Sequence, residues 1–349
     1  MKHLPALDGL RAFAILIVVL SHVVTPLVPG GFGVTVFFFI SGFIITRMML
    51  TQDFGRRDFK SFYVRRFFRL APALFVFIAI SGVAMYTLAE PIPAQDYLAT
   101  LFYYANYHRY TNINGVNSPL GITWSLAVEE HFYFVFPILF VLARKGLVNC
   151  LLAVIVAGAI WRCVLVFGWN APMARTYFST DTRIDSIAWG CLLSCLIDKR
   201  SAYLDKLSSN SAVAISFAVI LATFAIRGDH FRETIRYSLQ GLALMPIFCM
   251  LFWKSESKNV FRSVLESRIA IFIGNISYSL YLYHFLALSI GELLFPRSMG
   301  LKVFAIAVGF ASASASYYLI ENPVRKFGSR LAKSFEKRGA ATSDSSAAA

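Results

Sequence analysis

Long apolar segments alternate with short polar ones along almost the whole chain. Each apolar segment approaches the roughly 20 residues that an α-helix needs to cross the hydrocarbon core of a bilayer. We count ten such segments, at about residues 10–28, 32–50, 70–89, 124–143, 148–168, 184–197, 211–226, 236–253, 270–290 and 301–320. The pattern therefore predicts an all-α integral membrane protein, a bundle of about ten transmembrane helices.

The composition agrees with this prediction. Hydrophobic residues make up 57% of the 349 residues, and the mean hydropathy is +0.62. Both values exceed what a soluble domain of this length shows. The first apolar segment is a full span with no cleavage site before a soluble domain, so we expect it to be retained rather than removed as a signal peptide. We therefore expect a multi-pass protein of the cell membrane.

Lys and Arg are distributed unevenly between the two sets of loops. If the N-terminus is cytoplasmic, the basic stretches 56–69, 144–145, 199–206 and 325–338 all fall on the cytoplasmic side. Short cytoplasmic loops of membrane proteins carry such an excess, so we expect both termini to be cytoplasmic. The net charge of +14 is then explained by the topology and by membrane lipids with anionic headgroups. Nucleic acid is not expected as a partner.

The domain organisation is simple. We expect one transmembrane domain over residues 1–327 and a cytoplasmic tail over 328–349, whose Ala/Ser-rich end is typical of disorder. The cysteines lie in or beside apolar segments, which indicates buried small side chains rather than disulfides or a zinc site; they are Cys150, Cys163, Cys191, Cys195 and Cys249. We expect no metal and no tightly bound cofactor.

Ionisable residues lie inside the apolar segments, where they are costly and usually mark function. His22 follows Arg11 by eleven residues, which is about 16 Å along a helix. Counted from the opposite end of the fourth segment, Glu129 lies at about the depth of His22. A histidine with a carboxylate in reach can act as a general base or a nucleophile, and an ion pair that locks the bundle is the alternative. Asp8 opens the first helix, either as its N-cap or as part of the site.

Further polar residues are predicted near this pair. Glu130 follows Glu129 but points about 100° away around the helix. Arg183 and Asp185 open the sixth segment on the same side of the membrane, where they either line the site or pair with each other. His284 lies in the outer half of the ninth segment. A polar site within the membrane is therefore expected.

A second cluster lies at the cytoplasmic start of the third helix. The spacing of Arg65, Arg66 and Arg69 puts two or three guanidinium groups on one helical face. Guanidinium groups bind phosphate oxygens well, so the cluster is either a phosphate site or a positive-inside anchor. Ser41 and Gly42 are small residues in the second helix, which allow helices to approach closely or leave a slot for a narrow ligand.

Several motifs follow one another in a fixed order along the chain. They are Asp8-Gly9-Leu10-Arg11 with His22, Phe38-Phe39-Ile40-Ser41-Gly42-Phe43, Arg66-x-x-Arg69 before Pro72, Trp124-Ser125-Leu126 with Glu129, Arg183-x-Asp185, Ser277-Tyr278-x-Leu280-Tyr281-x-x-His284 and Glu321-Asn322-Pro323. In this order they resemble the membrane-bound acyltransferase-3 family, which includes O-antigen and Nod-factor O-acetyltransferases. The resemblance covers roughly residues 4–327, and His131 departs from the glutamine expected beside Glu130.

This resemblance implies transfer of an acyl group, most often acetyl from acetyl-CoA, to a hydroxyl of a carbohydrate, a lipid-linked glycan or a polysaccharide. Acyl-CoA is then the cytoplasmic donor substrate. Its phosphates are expected on the three clustered arginines, its slender arm beside Ser41, and its thioester near His22. The residues expected to bind acyl-CoA are Arg11, Arg65, Arg66, Arg69 and Ser41.

The resemblance also assigns roles around the thioester. His22 and Glu129 are the candidate catalytic residues: His22, oriented or made more basic by Glu129, deprotonates the acceptor hydroxyl or itself carries the acetyl group. The expected supporting or acceptor-side residues are Asp8, Trp124, Glu130, Arg183, Asp185, Tyr281 and His284. A second copy of the chain and proteins of glycan assembly are further partners that the resemblance leaves open.

The main alternative is a proton-coupled transporter of a small metabolite or glycan precursor, in which His22, Glu129 and His284 relay protons. A glycan-handling scaffold without chemistry is the other alternative. Transporters of this kind are built from matching halves with helices broken by Gly or Pro, and the sequence shows no such pair. The arginine cluster on the donor side favours an enzyme.

Overall fold

A computed structural model of the chain describes residues 4–111, 118–253, 260–296 and 298–347, the last eleven of these as backbone only. Within these ranges the chain forms helices joined by turns and no β-strand. The helices are α1 (Pro5–Val23), α2 (Gly30–Thr51), α3 (Phe59–Thr87), α4 (Ala94–Leu101), α5 (Ala105–Thr111), α6 (Trp124–Leu142), α7 (Leu147–Cys163), α8 (Met173–Phe178), α9 (Thr180–Asp198), α10 (Leu204–Leu207), α11 (Asn210–Ala225), α12 (Asp229–Glu233), α13 (Arg236–Phe252), α14 (Val260–Leu265), α15 (Arg268–Asn275), α16 (Ser277–Leu294), α17 (Met299–Ser316) and α18 (Asn322–Ala347).

Among the described residues, six helical stretches are long and apolar enough to cross a membrane. They are Pro5–Val23, Gly30–Thr51, Arg56–Thr87, Pro119–Leu142, Arg144–Gly168 and Met299–Glu336. The pair α15 and α16, bent by 69° at the break between them, makes a seventh if it is counted as one span. The remaining predicted segments coincide with α9, α11 and α13. The all-α membrane fold is confirmed, whereas the count of ten spans and the cytoplasmic placement of the termini remain predictions.

The first helix begins and ends earlier than its predicted boundaries of 10–28. It starts at Pro5, because proline suits the first helical position, and it ends at Val23, three residues before Pro26. Two expectations change as a result. Asp8 lies in the first turn rather than at the N-cap, which is Leu4, and His22 lies in the last turn.

Glycines let α2 approach its neighbours closely. A Cβ atom on Gly42 would lie 2.0 Å from the Ile187 carbonyl oxygen of α9, and a Cβ atom on Gly190 would lie 2.0 Å from the Phe39 carbonyl oxygen of α2. Because real side chains do not tolerate such distances, any larger residue would push α2 and α9 apart. Small residues at helix interfaces serve this purpose in membrane proteins, which confirms that interpretation for Gly42.

The last helix packs against α3, where Gly328 lies against the side chain of Phe68. It then continues to Ala347, and disorder of the Ala/Ser-rich end of the tail remains a prediction. Only the last two residues of that tail lie outside the described residues. The contact between α3 and α18 places the basic start of α3 beside the C-terminal helix, where Arg65 pairs with Glu336.

Candidate functional site

A cavity between α1, α2, α3, α6 and α16 brings together most of the predicted donor-side residues. Its wall includes side chains from five separate helices, so no single motif builds it. The lining residues are Arg11, Val34, Phe37, Phe38, Ile40, Ser41, Arg66, Arg69, Leu70, Ser125, Leu126, Glu129, Tyr133, Ser277, Tyr278 and Tyr281. The arrangement combines guanidinium groups with an apolar and aromatic wall, as a site for a partly charged, partly apolar ligand requires.

Aromatic stacking and one hydrogen bond hold the polar groups of this cavity in place. The Arg66 guanidinium lies 3.5 Å from the centre of the Tyr133 ring, and the Tyr133 hydroxyl donates to Glu129 Oε2 at 2.7 Å. Arg66 Nε is buried and has no hydrogen-bond partner in the part of the chain that the structure describes. A buried donor without a partner is costly, so this guanidinium is suited to an acceptor that a ligand brings.

Asp8 supports Arg11 from the preceding turn of α1. Its carboxylate accepts from Arg11 Nη1 at 3.3 Å and is largely buried. The backbone of the same turn packs on α15, since a Cβ atom on Gly274 would lie 2.0 Å from the Asp8 carbonyl oxygen. Asp8 therefore contacts a cavity residue without lining the cavity itself.

Arg65 does not join Arg66 and Arg69. Its guanidinium donates to Ser61 Oγ at 3.2 Å and pairs with Glu336 of α18. Neighbouring residues of a helix point about 100° apart, so Arg65 faces α18 while Arg66 faces the cavity. The structure therefore does not support the predicted donor contact of Arg65.

His22 pairs with His284, not with Glu129. The His22 Nδ1 and His284 Nε2 atoms are 3.0 Å apart, and His284 Nδ1 lies 2.8 Å from the Leu280 carbonyl oxygen. His284 is fully buried, whereas His22 is exposed. Phe285 meets the His22 ring edge to face, with ring centres 5.4 Å apart. The two histidines thus form a hydrogen-bonded pair in which His284 is buried and His22 is accessible.

The different boundary of α1 explains why the expected partner is absent. His22 is the last residue but one of α1, and Glu129 is the sixth residue of α6. With the predicted boundaries, His22 is about as far from the end of its helix as Glu129 is from the start of its own. With α1 ending at Val23, His22 lies nearer the end of the bundle, and Glu129 bonds to Tyr133 instead.

Tyr281 stands between the cavity and the histidine pair. It lines the cavity, and its ring centre is 6.0 Å from that of His284. The Tyr281 hydroxyl donates to the Ile122 carbonyl oxygen at 3.0 Å and is 2.7 Å from Ser125 Oγ. Since a hydroxyl carries one proton, the Ser125 hydroxyl donates to Tyr281. This bonded pair closes the cavity on the side of the histidines.

Trp124 has a packing role in the structure. Its ring meets the rings of Phe38, Tyr177 and Phe178 at centre distances of 6.3, 5.1 and 5.0 Å, and it is buried. It therefore sets the position of the start of α6, on which Ser125 and Glu129 lie. Glu130, by contrast, does not line the cavity, and its Oε1 atom is buried without a hydrogen-bond partner among the described residues.

Arg183 and Asp185 do not pair with each other. Arg183 donates to Thr35 Oγ1 at 3.0 Å and lies 4.0 Å from the centre of the Tyr237 ring. The Asp185 carboxylate instead accepts from Arg162 at 2.8 Å. Residues two apart on a helix do not face each other, which rules out the predicted pair. Neither residue lines the cavity.

Arg162 is a buried residue that our sequence reasoning missed. Besides Asp185, it donates to the carbonyl oxygens of Thr182 and Thr234, both at 2.6 Å, and to Ser238 Oγ at 2.7 Å. An ion pair of this kind tolerates burial because the two charges compensate each other, although Asp185 Oδ1 has no hydrogen-bond partner among the described residues. An arginine in the apolar segment 148–168 was the signal that could have revealed it.

A histidine–carboxylate pair, also missed from the sequence, lies between α4 and α5. His108 Nε2 is 2.8 Å from Asp96 Oδ1, and both residues line a small pocket with Thr100 and Arg109. Arg109 packs on Gly121, just before α6. These residues come from a region that hydropathy marks only as a loop, so no pattern in the sequence singled them out.

The sequence is similar to those of a known protein family. Residues 4–321 match the model of a family described as an acyltransferase domain. The chain is 30% identical over 354 residues to the peptidoglycan O-acetyltransferase OatA of Listeria monocytogenes, covering 94% of this chain and 56% of the relative. It is 30% identical over 352 residues to the O-acetyltransferase OatA of Staphylococcus aureus, covering 94% and 58%. The chain thus spans little more than half the length of these relatives, and no solved structure matches it.

Proposed function

Because the chain belongs to the acyltransferase domain family, we propose that it transfers an acetyl group from acetyl-CoA to a hydroxyl group of a cell-envelope glycan. The observation that carries this proposal is the cavity in which Arg11, Arg66 and Arg69 lie near the start of α1 and Tyr281 closes the side towards His284. The Listeria relative is named for peptidoglycan, which supports a carbohydrate acceptor.

The donor site follows from charge and shape. Acetyl-CoA carries phosphates at one end and the thioester at the other, joined by a slender arm. Guanidinium groups bind phosphates with charge-assisted hydrogen bonds, so Arg66 and Arg69 hold the nucleotide end. Ser41 and Tyr278 line the path of the arm. The thioester then lies towards Tyr281, which has to move aside for the acetyl group to reach His22.

The acceptor site lies at the opposite end of α1. Arg11 and His22 are separated by about 16 Å along this helix, and of these two residues only His22 is exposed. His22 takes the proton of the acceptor hydroxyl as a general base. The oxygen attacks the thioester carbonyl carbon, the bond from that carbon to sulfur breaks, and His22 returns the proton to the departing thiolate. The products are an acetyl ester and free CoA.

The experiment that tests this function uses purified protein, acetyl-CoA labelled in its acetyl group, and a soluble glycan. We expect the label to appear on the glycan as an ester that mild base releases. A transporter, the alternative considered from the sequence, would move the glycan or another solute without any transfer of label. Label that stays on CoA in the presence of folded protein would contradict the proposal.

The arginine cluster provides a prediction about the donor. Replacing both Arg66 and Arg69 by Gln should raise the KM for acetyl-CoA at least about tenfold, because each lost charge-assisted contact costs about 1.5–3 kcal/mol when it is desolvated. The KM for the acceptor should change much less, since the contacts made by these residues mostly supply uniform binding of the donor. Steady-state kinetics with each substrate varied in turn measures both constants.

Arg65→Gln is the matched control for this pair. It removes one positive charge from the same helix, where the double variant removes two, but Arg65 bonds to Ser61 and Glu336 outside the cavity. We expect its KM for acetyl-CoA to stay near that of the wild type. An equal rise in KM for Arg65→Gln would mean that general surface charge, rather than the cavity, attracts the donor.

A further inference from the structure

We propose that His284 is a positioning residue that fixes the tautomer of His22, so that the reactive nitrogen of His22 is Nε2. This inference rests on the proposed function for its meaning, but its structural content is independent of any substrate. It assigns to the buried histidine of α16 a role different from contact with the acceptor.

Two hydrogen bonds link His22, His284 and the Leu280 carbonyl oxygen in series. The carbonyl oxygen determines the direction of both bonds. The Leu280 carbonyl oxygen can only accept, so the proton between it and His284 lies on His284 Nδ1, at 2.8 Å. A neutral His284 then has no proton on Nε2, which must accept. The atom 3.0 Å away is His22 Nδ1, which therefore donates. Nε2 of a neutral His22 is left with its lone pair free.

The orientation of the rings supports this assignment. The planes of His22 and His284 differ by 3°, and their centres are 5.3 Å apart. The distance between the ring centres exceeds the nitrogen–nitrogen distance of 3.0 Å by about two ring radii. The two nitrogens therefore lie close to the line that joins the ring centres. The rings are thus coplanar and meet edge to edge. Imidazole N–H bonds and lone pairs lie in the ring plane, so this geometry suits a straight hydrogen bond.

Packing holds His284 rigidly in this position. Gly309 of α17 lies directly against it, since a Cβ atom there would be 3.2 Å from the His284 Cα atom. His284 itself is fully buried, and Phe285 meets the ring of His22 from the next position of α16. Only His22 has an exposed side. A fixed inner ring and an accessible outer ring are what a general base with a set orientation needs.

The surroundings favour the neutral forms that this assignment requires. Neither ring contacts a carboxylate within the described residues, and a buried imidazolium without a counter-charge is costly. The hydrogen bond made by one ring nitrogen determines which nitrogen carries the proton. Without His284, His22 would be free to place its proton on Nε2, and it could not then accept one there.

Two substitutions at position 284 separate positioning from packing. His284→Phe keeps a flat ring but removes the acceptor, and we expect kcat to fall about 100-fold or more, because a base in the wrong tautomer cannot act. Both KM values should change little, since no substrate contact is lost. His284→Gln keeps an oxygen that can accept from His22 Nδ1, and it should retain kcat within about tenfold of the wild type.

Solid-state NMR on protein labelled with ¹⁵N-histidine tests the tautomer directly, with His22→Ala used to assign the His22 signals. We expect a protonated Nδ1 and a bare Nε2 in the wild type, and a larger share of protonated Nε2 in His284→Phe. Protonated Nε2 in the wild type, or equal losses of kcat for the Phe and Gln variants, would overturn this proposal. Absence of acetyl transfer by the wild type would instead overturn the proposed function and leave the tautomer result standing.

Discussion

We expect His22→Ala to abolish acetyl transfer, which would be the largest effect of any single substitution. Removal of a general base costs about 10²- to 10⁴-fold in rate, and His22 is an exposed histidine hydrogen-bonded to a buried partner ring, that of His284. The labelled-acetyl assay measures the loss. Because His22 is exposed in the last turn of α1, its replacement removes little packing, and size-exclusion chromatography should show a normally folded protein.

His230→Ala is the matched control for His22→Ala. His230 is also an exposed histidine, but it lies in α12, where its ring stacks on that of Phe167 and not on the histidine pair. Its replacement should leave transfer near the wild-type rate. A folded His22→Ala protein that transfers acetyl at a rate near that of the control would remove His22 from the mechanism.

Glu129→Gln should reduce transfer about 10- to 100-fold, whereas Glu130→Gln should retain most of it. Glu129 lines the cavity and accepts from Tyr133, whose ring carries Arg66. The neutral amide weakens a charge-assisted hydrogen bond, an effect of about 1.5–3 kcal/mol, and removes the negative charge that balances the arginines. Kinetics with acetyl-CoA varied should show whether the loss falls on KM, as a role in donor binding requires.

Glu130 serves as the internal comparison, since it has the same charge on the next residue but does not line the cavity. Equal losses for the two variants would mean that both carboxylates act on the donor. A loss for Glu130→Gln alone would reverse the assignment of the two residues.

Much of the cavity lining was predictable because its residues lie at helical spacings that the sequence displays. Arg66 and Arg69 are three residues apart, so they share a face, and both line the cavity together with Arg11, Ser41 and Glu129. Arg65 does not line the cavity, and spacing alone does not say which face of a helix points inward. That choice depends on α18, whose Glu336 takes the Arg65 guanidinium.

The histidine pair was only half predictable. Both His22 and His284 stand out as ionisable residues in apolar segments, but depth was counted from boundaries that hydropathy places poorly. Apolar residues continue beyond Val23 as far as Val28, so hydropathy extends the first segment, whereas Pro26 ends the helix. Helix boundaries decide which side chains meet, and they depend on backbone chemistry that an average over apolar residues does not contain.

Buried polar pairs outside the cavity were the least predictable part of the structure. Arg162 pairs with Asp185 across more than twenty residues of sequence, and Thr182, Thr234 and Ser238 complete its bonds. Such networks arise where helices pack, and packing brings together residues that no local pattern connects. The same holds for Asp96 and His108, which lie between predicted spans.

If the donor and the acceptor meet from opposite ends of α1, transfer occurs between substrates that are held on opposite sides of a membrane. Protein of uniform orientation in sealed liposomes receives labelled acetyl-CoA on one side and the glycan acceptor on the other, and neither substrate crosses the bilayer. We expect label on the acceptor when acetyl-CoA is on the side of Arg66 and Arg69 and the acceptor is on the side of His22. Transfer only in the reverse arrangement, or only when both substrates share one side, would contradict it.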